Sequence, residues 1–170
     1  MTAPGWRALV LAGERPEGDP LAAAEGAPCK AFIPIAGRPM IAHVLGTLAE
    51  VAEIGEVAVT IAPDAPAIPP GPWQRRAAAA GPSASVAEGF AALGAPLLVV
   101  TADHPMLTAA TVRAFLRAAE AHGATAIAGV ATADVVARAE DAPRRTMMRF
   151  RGGAVTGCNL FALLRPDAGT

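Results

Sequence analysis

The stretch Ala8-Leu9-Val10-Leu11-Ala12-Gly13, five apolar residues followed by a glycine, decides the fold. An uninterrupted apolar run of this kind is typical of a strand buried on both faces, as in a parallel sheet. Residues 14–29 follow Gly13 and are rich in glycine, proline and small side chains. A loop of this length is more often functional than a plain connection. We therefore expect a buried first strand that delivers a functional loop at its carboxyl end.

The rest of the chain alternates predicted strands with predicted helices. Apolar runs predict further strands at residues 57–62, 97–100, 124–130, 146–150 and 154–164. Apolar spacing and capping residues predict helices at residues 39–51, from Ser83 or Ser85 to Leu93, at 108–122 and at 133–140. This alternation predicts an α/β protein, a Rossmann-like three-layer αβα sandwich with a mostly parallel, mixed central sheet.

Composition and charge narrow the class of protein. The 170 residues are 53% hydrophobic and 17% charged, which predicts a folded core rather than a disordered chain. A net charge of −1 offers no basic surface for nucleic acid or for an acidic membrane. No apolar run approaches the roughly 18 residues of a membrane span, and the N-terminus lacks the apolar core of a signal peptide. We expect a cytoplasmic protein without nucleic-acid or membrane partners.

We expect one domain over residues 1–170. There is no internal repeat, and two cysteines are too few for a disulfide framework. The chain stops soon after a predicted strand, which leaves open whether the domain is truncated and one or two closing helices are missing.

Lys30 closes the functional loop and is the only lysine among 14 basic residues. Backbone N–H groups after a strand, together with one ammonium, suit a triphosphate because both stabilise an anion. Two other phosphate-binding patterns are absent, since no G-x-G-x-x-G follows the first strand and Lys30 is not part of G-K-[ST]. A solvated lysine on a surface loop is the other interpretation.

Asp103 follows the third predicted strand, in the segment LLVVTADHP. Ligands of open α/β sheets bind outside the carboxyl ends of strands, so Asp103 and the Lys30 loop can face one ligand. A carboxylate in this place can hold Mg²⁺ against phosphate oxygens. His104 suits Mg²⁺ less well, because this ion prefers oxygen ligands. A turn aspartate before Pro105 is the other interpretation of Asp103.

Several residues late in the chain are further candidates. Asn159 is the only asparagine, and its amide oxygen suits a metal site, a sugar hydroxyl or simply a turn. Four arginines also cluster late in the chain: Arg144, Arg145, Arg149 and Arg151. They are suited to bind an acceptor phosphate or to form a solvated face. Cys29 and Cys158 match no zinc or nucleophile pattern, and we interpret both as small buried residues.

The N-terminal segment ALVLAGERPEGDPLAAAEGAPCKAFIPIAGRPMIAHVL, residues 8–45, resembles the signature of the MobA-like nucleotidyltransferases. That signature combines LAGG, an arginine-bearing glycine loop and a lysine with I-x-G-x-P-[ML]-[IL]. The corresponding residues here are Leu11-Ala12-Gly13, Arg15, Lys30 and residues 35–41. Glu14 stands where the family has its second glycine, and the stretch from Gly13 to Lys30 is longer than the family's loop.

Three later segments extend the resemblance in the family's order. Residues 81–89 are similar to its base-side segment before a helix, and residues 99–107 to its metal-binding D-x-P-[LM]-[LI] segment. Residues 157–161 resemble its glycine-asparagine segment on the acceptor side.

The resemblance implies an enzyme that transfers a nucleoside monophosphate from a nucleoside triphosphate (NTP) to a phosphorylated small-molecule acceptor and releases pyrophosphate. It implies Lys30 and Arg15 as catalytic residues that hold the triphosphate. It implies Mg²⁺ as the cofactor, with Asp103 and Asn159 as its ligands. The implied nucleotide-binding residues are Leu11, Ala12, Gly13, Lys30, Ser83 and Ser85. The base and the acceptor stay open.

Two other classes of protein also stay open. A GT-A glycosyltransferase reads a nucleotide at strand ends, but it usually carries Asp-x-Asp, whereas Pro105 stands two residues after Asp103. A non-catalytic nucleotide-binding protein is favoured by Glu14 and by the short C-terminal part. Release of pyrophosphate with a supplied acceptor separates the enzyme from both.

Overall fold

The first strand lies in the interior of the sheet. The computed structural model describes residues 5–14, 18–138 and 145–169. Its strands are β1 (Trp6–Ala12), β2 (Pro34–Ile35), β3 (Arg38–Pro39), β4 (Ile54–Ile61), β5 (Trp73–Ala77), β6 (Leu97–Thr101), β7 (Ala126–Thr132), β8 (Met148–Phe150) and β9 (Gly153–Leu163). Its helices are α1 (Pro20–Ala24), α2 (Met40–Ala49), α3 (Pro82–Leu93), α4 (Ala109–His122) and α5 (Ala133–Ala137).

Seven of these strands form one mixed sheet in the order β5-β4-β1-β6-β9-β7, and β8 pairs with β9. Strands β5, β4, β1 and β6 run parallel, whereas β9 is antiparallel to β6, β7 and β8. Strands β2 and β3 form a separate antiparallel pair. The predicted mostly parallel, mixed sheet is therefore confirmed.

Helices cover both faces of the sheet, which gives the three layers. On one face, Val10 of β1 belongs to a buried cluster with Leu48 of α2 and Leu116 of α4. On the other face, Leu9 of β1 packs with Phe90 of α3. Burying one such side chain stabilises the fold by about 1.5–3 kcal/mol. Gly89 brings α3 close to β1, because a Cβ at this position would lie 2.5 Å from Leu9 Cδ2.

The structure corrects several predicted element boundaries. The loop after Gly13 contains helix α1, whose N-terminus is capped by the Asp19 carboxylate. Strand β5 was not predicted, because an edge strand with the sequence WQRRA shows no apolar run. Neither Ser83 nor Ser85 caps α3, which begins after Gly81 without a side-chain cap. The predicted Thr108 cap and Gly123 end of α4 are confirmed.

The hairpin of β8 and β9 extends beyond the carboxyl end of β6. Val100 of β6 pairs with Leu160, whereas β8 pairs with β9 only at residues 153–155. The amino-terminal part of β9 therefore continues past the sheet's carboxyl edge, beside the segment that contains Asp103. None of the helices in the described ranges is both long enough and apolar enough to cross a membrane.

Candidate active site

The site lies where β1 and β6 end side by side. The two strands are parallel neighbours, with Leu11 paired to Thr101. The N–H of Ala102 donates to the Leu11 carbonyl at 2.9 Å, which ties the two strand ends together. The loop after β1 and the turn after β6 consequently open on the same edge of the sheet, where ligands of open α/β sheets bind.

Lys30 reaches this edge from a short 3-10 turn, Lys30–Phe32. Its neighbours Cys29 and Ala31 are buried and anchor the turn in the core, while the lysine side chain extends outward. The Nζ atom donates to Asp103 Oδ2 at 2.5 Å. Two residues 73 positions apart in sequence, both predicted to face one ligand, thus form an ion pair with each other.

Asp103 is held at both carboxylate oxygens. Besides the bond from Lys30 to Oδ2, the Thr101 hydroxyl donates to Oδ1 at 2.6 Å. Burial raises the pKa of the Asp103 carboxyl, but the hydrogen bonds from Lys30 and Thr101 and the charge of Lys30 outweigh it, so the pKa is below its usual value. The Asp103 carboxyl group is therefore ionised at neutral pH.

A cavity of about 460 Å³ surrounds this ion pair. Its walls combine the ends of β1, β4 and β6 with the loop after β1, the loop before α3 and the start of α3: Leu11, Gly13, Glu14, Asp19, Lys30, Ala31, Thr60, Ala78, Ala79, Gly81, Pro82, Ser85, Thr101, Ala102 and Asp103. Small ligands bind in cavities of roughly 300–1,000 Å³, so the volume suits a nucleotide.

The wall opposite Lys30 is built by the loop before α3. The N–H of Ala78 donates to the Ile61 carbonyl at 3.0 Å, and the N–H of Ala79 donates to Ser85 Oγ at 3.0 Å. Gly13 faces this loop closely, since a Cβ there would lie 3.3 Å from the Cβ of Ala78. The buried Ser85 hydroxyl thus fixes the shape of the wall.

The structure brings together five of the predicted site residues around the cavity: Leu11, Gly13, Lys30, Ser85 and Asp103. The side chain of Ala12 points into the core, so only its backbone is available to a ligand. Ser83 lines a second, mainly apolar cavity of about 380 Å³, which shares Leu11 and Pro82 with the first. Arg15 and Arg144 lie outside the described residues.

Asn159 lies at the same edge of the sheet but outside the described lining of the cavity. It is exposed and has a φ of 54°, at a point where the pairing of β9 with β7 shifts register. Its neighbour Leu160 pairs with Val100, three residues before Asp103. Asparagine adopts a positive φ several-fold more often than most residues, so the backbone conformation at position 159 is by itself a reason for an asparagine there.

His104 follows Asp103 with one ring nitrogen unused. In the described part of the chain, its buried Nδ1 has no hydrogen-bond partner. Burial lowers the pKa of His104, Asp103 raises it, and the charge of Arg145 lowers it. The pKa therefore lies below its usual value, and the ring is neutral at pH 7.

Sequence reasoning overlooked the role of Thr101, which bonds Asp103, and of Asp19, which lines the cavity while capping α1. A threonine two residues before an aspartate at a strand end is a weak signal by itself. Asp19 followed by Pro20 at the first position of a helix is a recognisable helix start.

The fold and the cavity define an α/β protein with a lysine–aspartate ion pair at the edge of the sheet where β1 and β6 end. A family model, the MobA-like NTP transferase domain, matches residues 8–149. The chain belongs to this family.

Solved structures share the fold of this chain. A hypothetical transferase from Thermus thermophilus is 28% identical with a TM-score of 0.75, and the match covers 92% of this chain and 64% of that one. This chain thus spans less than two thirds of that relative's length. CMP:2-keto-3-deoxy-manno-octonic acid synthetase complexed with CTP is 14% identical, with a TM-score of 0.66 and coverage of 97% and 76%.

The protein Rv0371c from Mycobacterium tuberculosis H37Rv, in complex with manganese, is 16% identical, with a TM-score of 0.56 and coverage of 99% and 75%. At this identity, the synthetase and Rv0371c show similarity of fold alone. The curated proteins contain no significant match to this chain.

Proposed function

We propose that this protein is a nucleotidyltransferase that transfers a nucleoside monophosphate from an NTP to a phosphorylated small-molecule acceptor and releases pyrophosphate. The observation that carries the proposal is the pairing of Lys30 with Asp103 inside a nucleotide-sized cavity at the ends of β1 and β6. Membership of the MobA-like family supports the same reaction class. A cytoplasmic location agrees with it, because NTPs are found there.

Lys30 is proposed to hold the triphosphate and to stabilise the departing pyrophosphate, with Arg15 as a second cation. An ammonium with three donors suits phosphate oxygens, and backbone N–H groups at Leu11–Gly13 add further donors. Such transfer needs little covalent chemistry from the protein, so positioning and charge neutralisation are its main contributions.

The residues at this edge of the sheet fit a magnesium ion whose other ligands come from the phosphates of a bound nucleotide. The described residues hold no group of three or more histidine, cysteine or acidic side chains suited to a metal. Mg²⁺ typically takes one or two protein carboxylates, and phosphates and water complete its shell. Asp103 would supply the carboxylate and Asn159 an amide oxygen. Bound there, Mg²⁺ would neutralise phosphate charge; the manganese complex of Rv0371c supports this class of cation.

The base and ribose are proposed to lie between the end of β1 and the loop before α3. Ser83 and Ser85 belong to that side, and Ser85 holds the loop through its bond from Ala79. The structural neighbour solved with CTP supports a nucleotide in this type of fold. The acceptor is proposed to approach from the β8–β9 side, where Arg145 and Arg149 are suited to its phosphate.

A non-catalytic nucleotide-binding protein is a second candidate, favoured by Glu14 in the cavity lining. The deciding experiment is a thermal-shift screen of ATP, GTP, CTP and UTP with Mg²⁺, since a ligand at 100 times its Kd stabilises by about 2.7 kcal/mol. Pyrophosphate release is then measured for each stabilising NTP with a panel of phosphorylated acceptors. Stabilisation without pyrophosphate release supports the second candidate, and absence of both contradicts nucleotide binding altogether.

A further inference from the structure

Asp103 accepts hydrogen bonds from two side chains, and nucleotide binding would affect these two bonds differently. Lys30 bonds Oδ2, and the Thr101 hydroxyl bonds Oδ1. Under the proposed function, on which this inference rests, Lys30 turns toward the triphosphate and its bond to Asp103 is lost. The bond from Thr101 is then the remaining side-chain hydrogen bond on Asp103 among the described residues.

Thr101 is anchored much more firmly than Asp103. It is the last residue of β6, pairs with Leu11 of β1, and is followed by the bond from Ala102 N–H to the Leu11 carbonyl. Its β-branched side chain also restricts rotation about χ1. Asp103 lies in the turn after the strand, where its own backbone has no such pairing. The fixed hydroxyl therefore orients the carboxylate, together with the hydrogen bond from the backbone N–H of Asp103 itself.

We propose that Thr101 is a positioning residue for the metal site: its hydroxyl fixes the rotation of the Asp103 carboxylate, so that Oδ2 faces the divalent cation that accompanies the nucleotide. Ligating carboxylates are themselves commonly held by hydrogen bonds, and loss of such a partner typically costs about 10- to 100-fold in metal affinity.

Thr101→Val tests the role of the hydroxyl, because valine keeps the shape and the branching of threonine. Thr101→Ser keeps the hydroxyl, and Thr111→Val makes the same exchange at an exposed position of α4, outside the described cavity lining, where the hydroxyl contacts Thr108 and not Asp103. Mn²⁺ affinity is measured by electron paramagnetic resonance in the presence of ATP, GTP, CTP or UTP. Calorimetry with EDTA gives the metal-free affinity for the same nucleotides, and thermal unfolding checks each fold.

We expect Thr101→Val to weaken Mn²⁺ affinity by about 10- to 100-fold, and Thr101→Ser to restore most of it. Nucleotide affinity in EDTA should stay at the wild-type value, because Lys30 and the backbone donors are unchanged. If Thr101→Val does not fold, Thr101→Ala serves in the same comparison.

Three results overturn the inference while leaving the proposed function intact. They are unchanged Mn²⁺ affinity in Thr101→Val, equal losses in the serine and valine variants, and an equal loss of nucleotide binding with and without metal. Failure of the wild-type protein to bind any nucleotide with Mn²⁺ is a different result, because it contradicts the proposed function itself and this inference with it.

Discussion

Replacing Lys30 by methionine should move the affinities for metal and nucleotide in opposite directions. Methionine keeps most of the length of the side chain and removes its charge. In the ligand-free cavity, the ammonium occupies Asp103 Oδ2, the oxygen proposed for the cation. A cation that binds alone must displace Lys30, whereas a cation that binds with NTP finds Lys30 already attracted to phosphate. Lys30→Met should therefore tighten binding of the metal alone and weaken binding of NTP.

The size of the first effect follows from the exposure of the ion pair. The side chains of Lys30 and Asp103 are 38% and 30% exposed, so the pair is neither fully solvated nor buried. Exposed ion pairs contribute about 0.2–1 kcal/mol, and hydrogen bonds to charged groups about 1.5–3 kcal/mol. The ion pair lies between these limits, so we expect its loss to change the binding free energy of the metal by about 1–2 kcal/mol. This corresponds to a factor of about 5–30 in affinity. Turnover should fall by about 10²–10³, the scale of losing one preorganised charge donor.

The assay is a Mn²⁺ titration without nucleotide, followed by NTP titrations with EDTA and with Mg²⁺. Arg113→Met is the matched control, because Arg113 of α4 pairs with Glu53 and bonds the Glu50 carbonyl, outside the described lining of the cavity. The control should leave both affinities unchanged. If Lys30→Met binds Mn²⁺ no more tightly than the wild type, the ion pair does not compete with the metal. If it binds NTP normally, Lys30 is not the triphosphate anchor.

Two further substitutions test the site, and a labelling experiment tests the burial of the cysteines. Asp103→Asn keeps the shape of the side chain but removes its charge, so NTP affinity should lose its dependence on Mg²⁺. If EDTA changes the NTP affinity of the variant and of the wild type equally, Asp103 is only a turn residue. Asn159→Ala should slow transfer while leaving NTP binding mostly intact, and equal transfer rates would return Asn159 to a turn role. Cys29 is buried as predicted, whereas the prediction of a buried Cys158 was wrong, since this residue is partly exposed. Burial also raises the pKa of the Cys29 thiol, so Ellman's reagent should react with Cys158 alone in the native protein and with both thiols in denaturant; equal native rates would contradict this.

The sequence predicted the buried part of the fold well, because burial on both faces imposes uninterrupted apolar runs. Residues 97–100 were predicted as a strand on this ground, and β6 contains them. The sequence did not predict β5, since an edge strand exposes alternate residues and here carries Gln74, Arg75 and Arg76. Helix α1 was not predicted either, because Pro20–Ala24 is too short to show helical periodicity and only Asp19-Pro20 marks its start.

The sequence predicted that the site lies at the strand ends, but not which side chains contact each other there. The alternating pattern allowed the ends of these two strands to be neighbours, and the structure shows that β1 and β6 are paired, which places Lys30 and Asp103 together. Their mutual ion pair depends on how the 3-10 turn at Lys30 is anchored by Cys29 and Ala31, which no local pattern reveals. The bond from Thr101 to Asp103 depends on a side-chain rotamer, so it too required the structure.

The charge of the cavity makes Glu14 the residue that most opposes a nucleotide. The charged side chains that line the cavity in the described ranges are Glu14, Asp19, Lys30 and Asp103. Asp19 is engaged in capping α1 and Asp103 is paired with Lys30, whereas Glu14 stands where the family has a glycine. Two like unit charges 4 Å apart in water repel by about 1 kcal/mol, or about fivefold in affinity. Glu14→Gly should therefore tighten NTP binding about fivefold, most clearly in EDTA, where no cation offsets the repulsion. Glu25→Gln removes an exposed acid at the end of α1 and should change little. Equal NTP affinities for Glu14→Gly and the wild type at low salt would show that Glu14 does not face the phosphates.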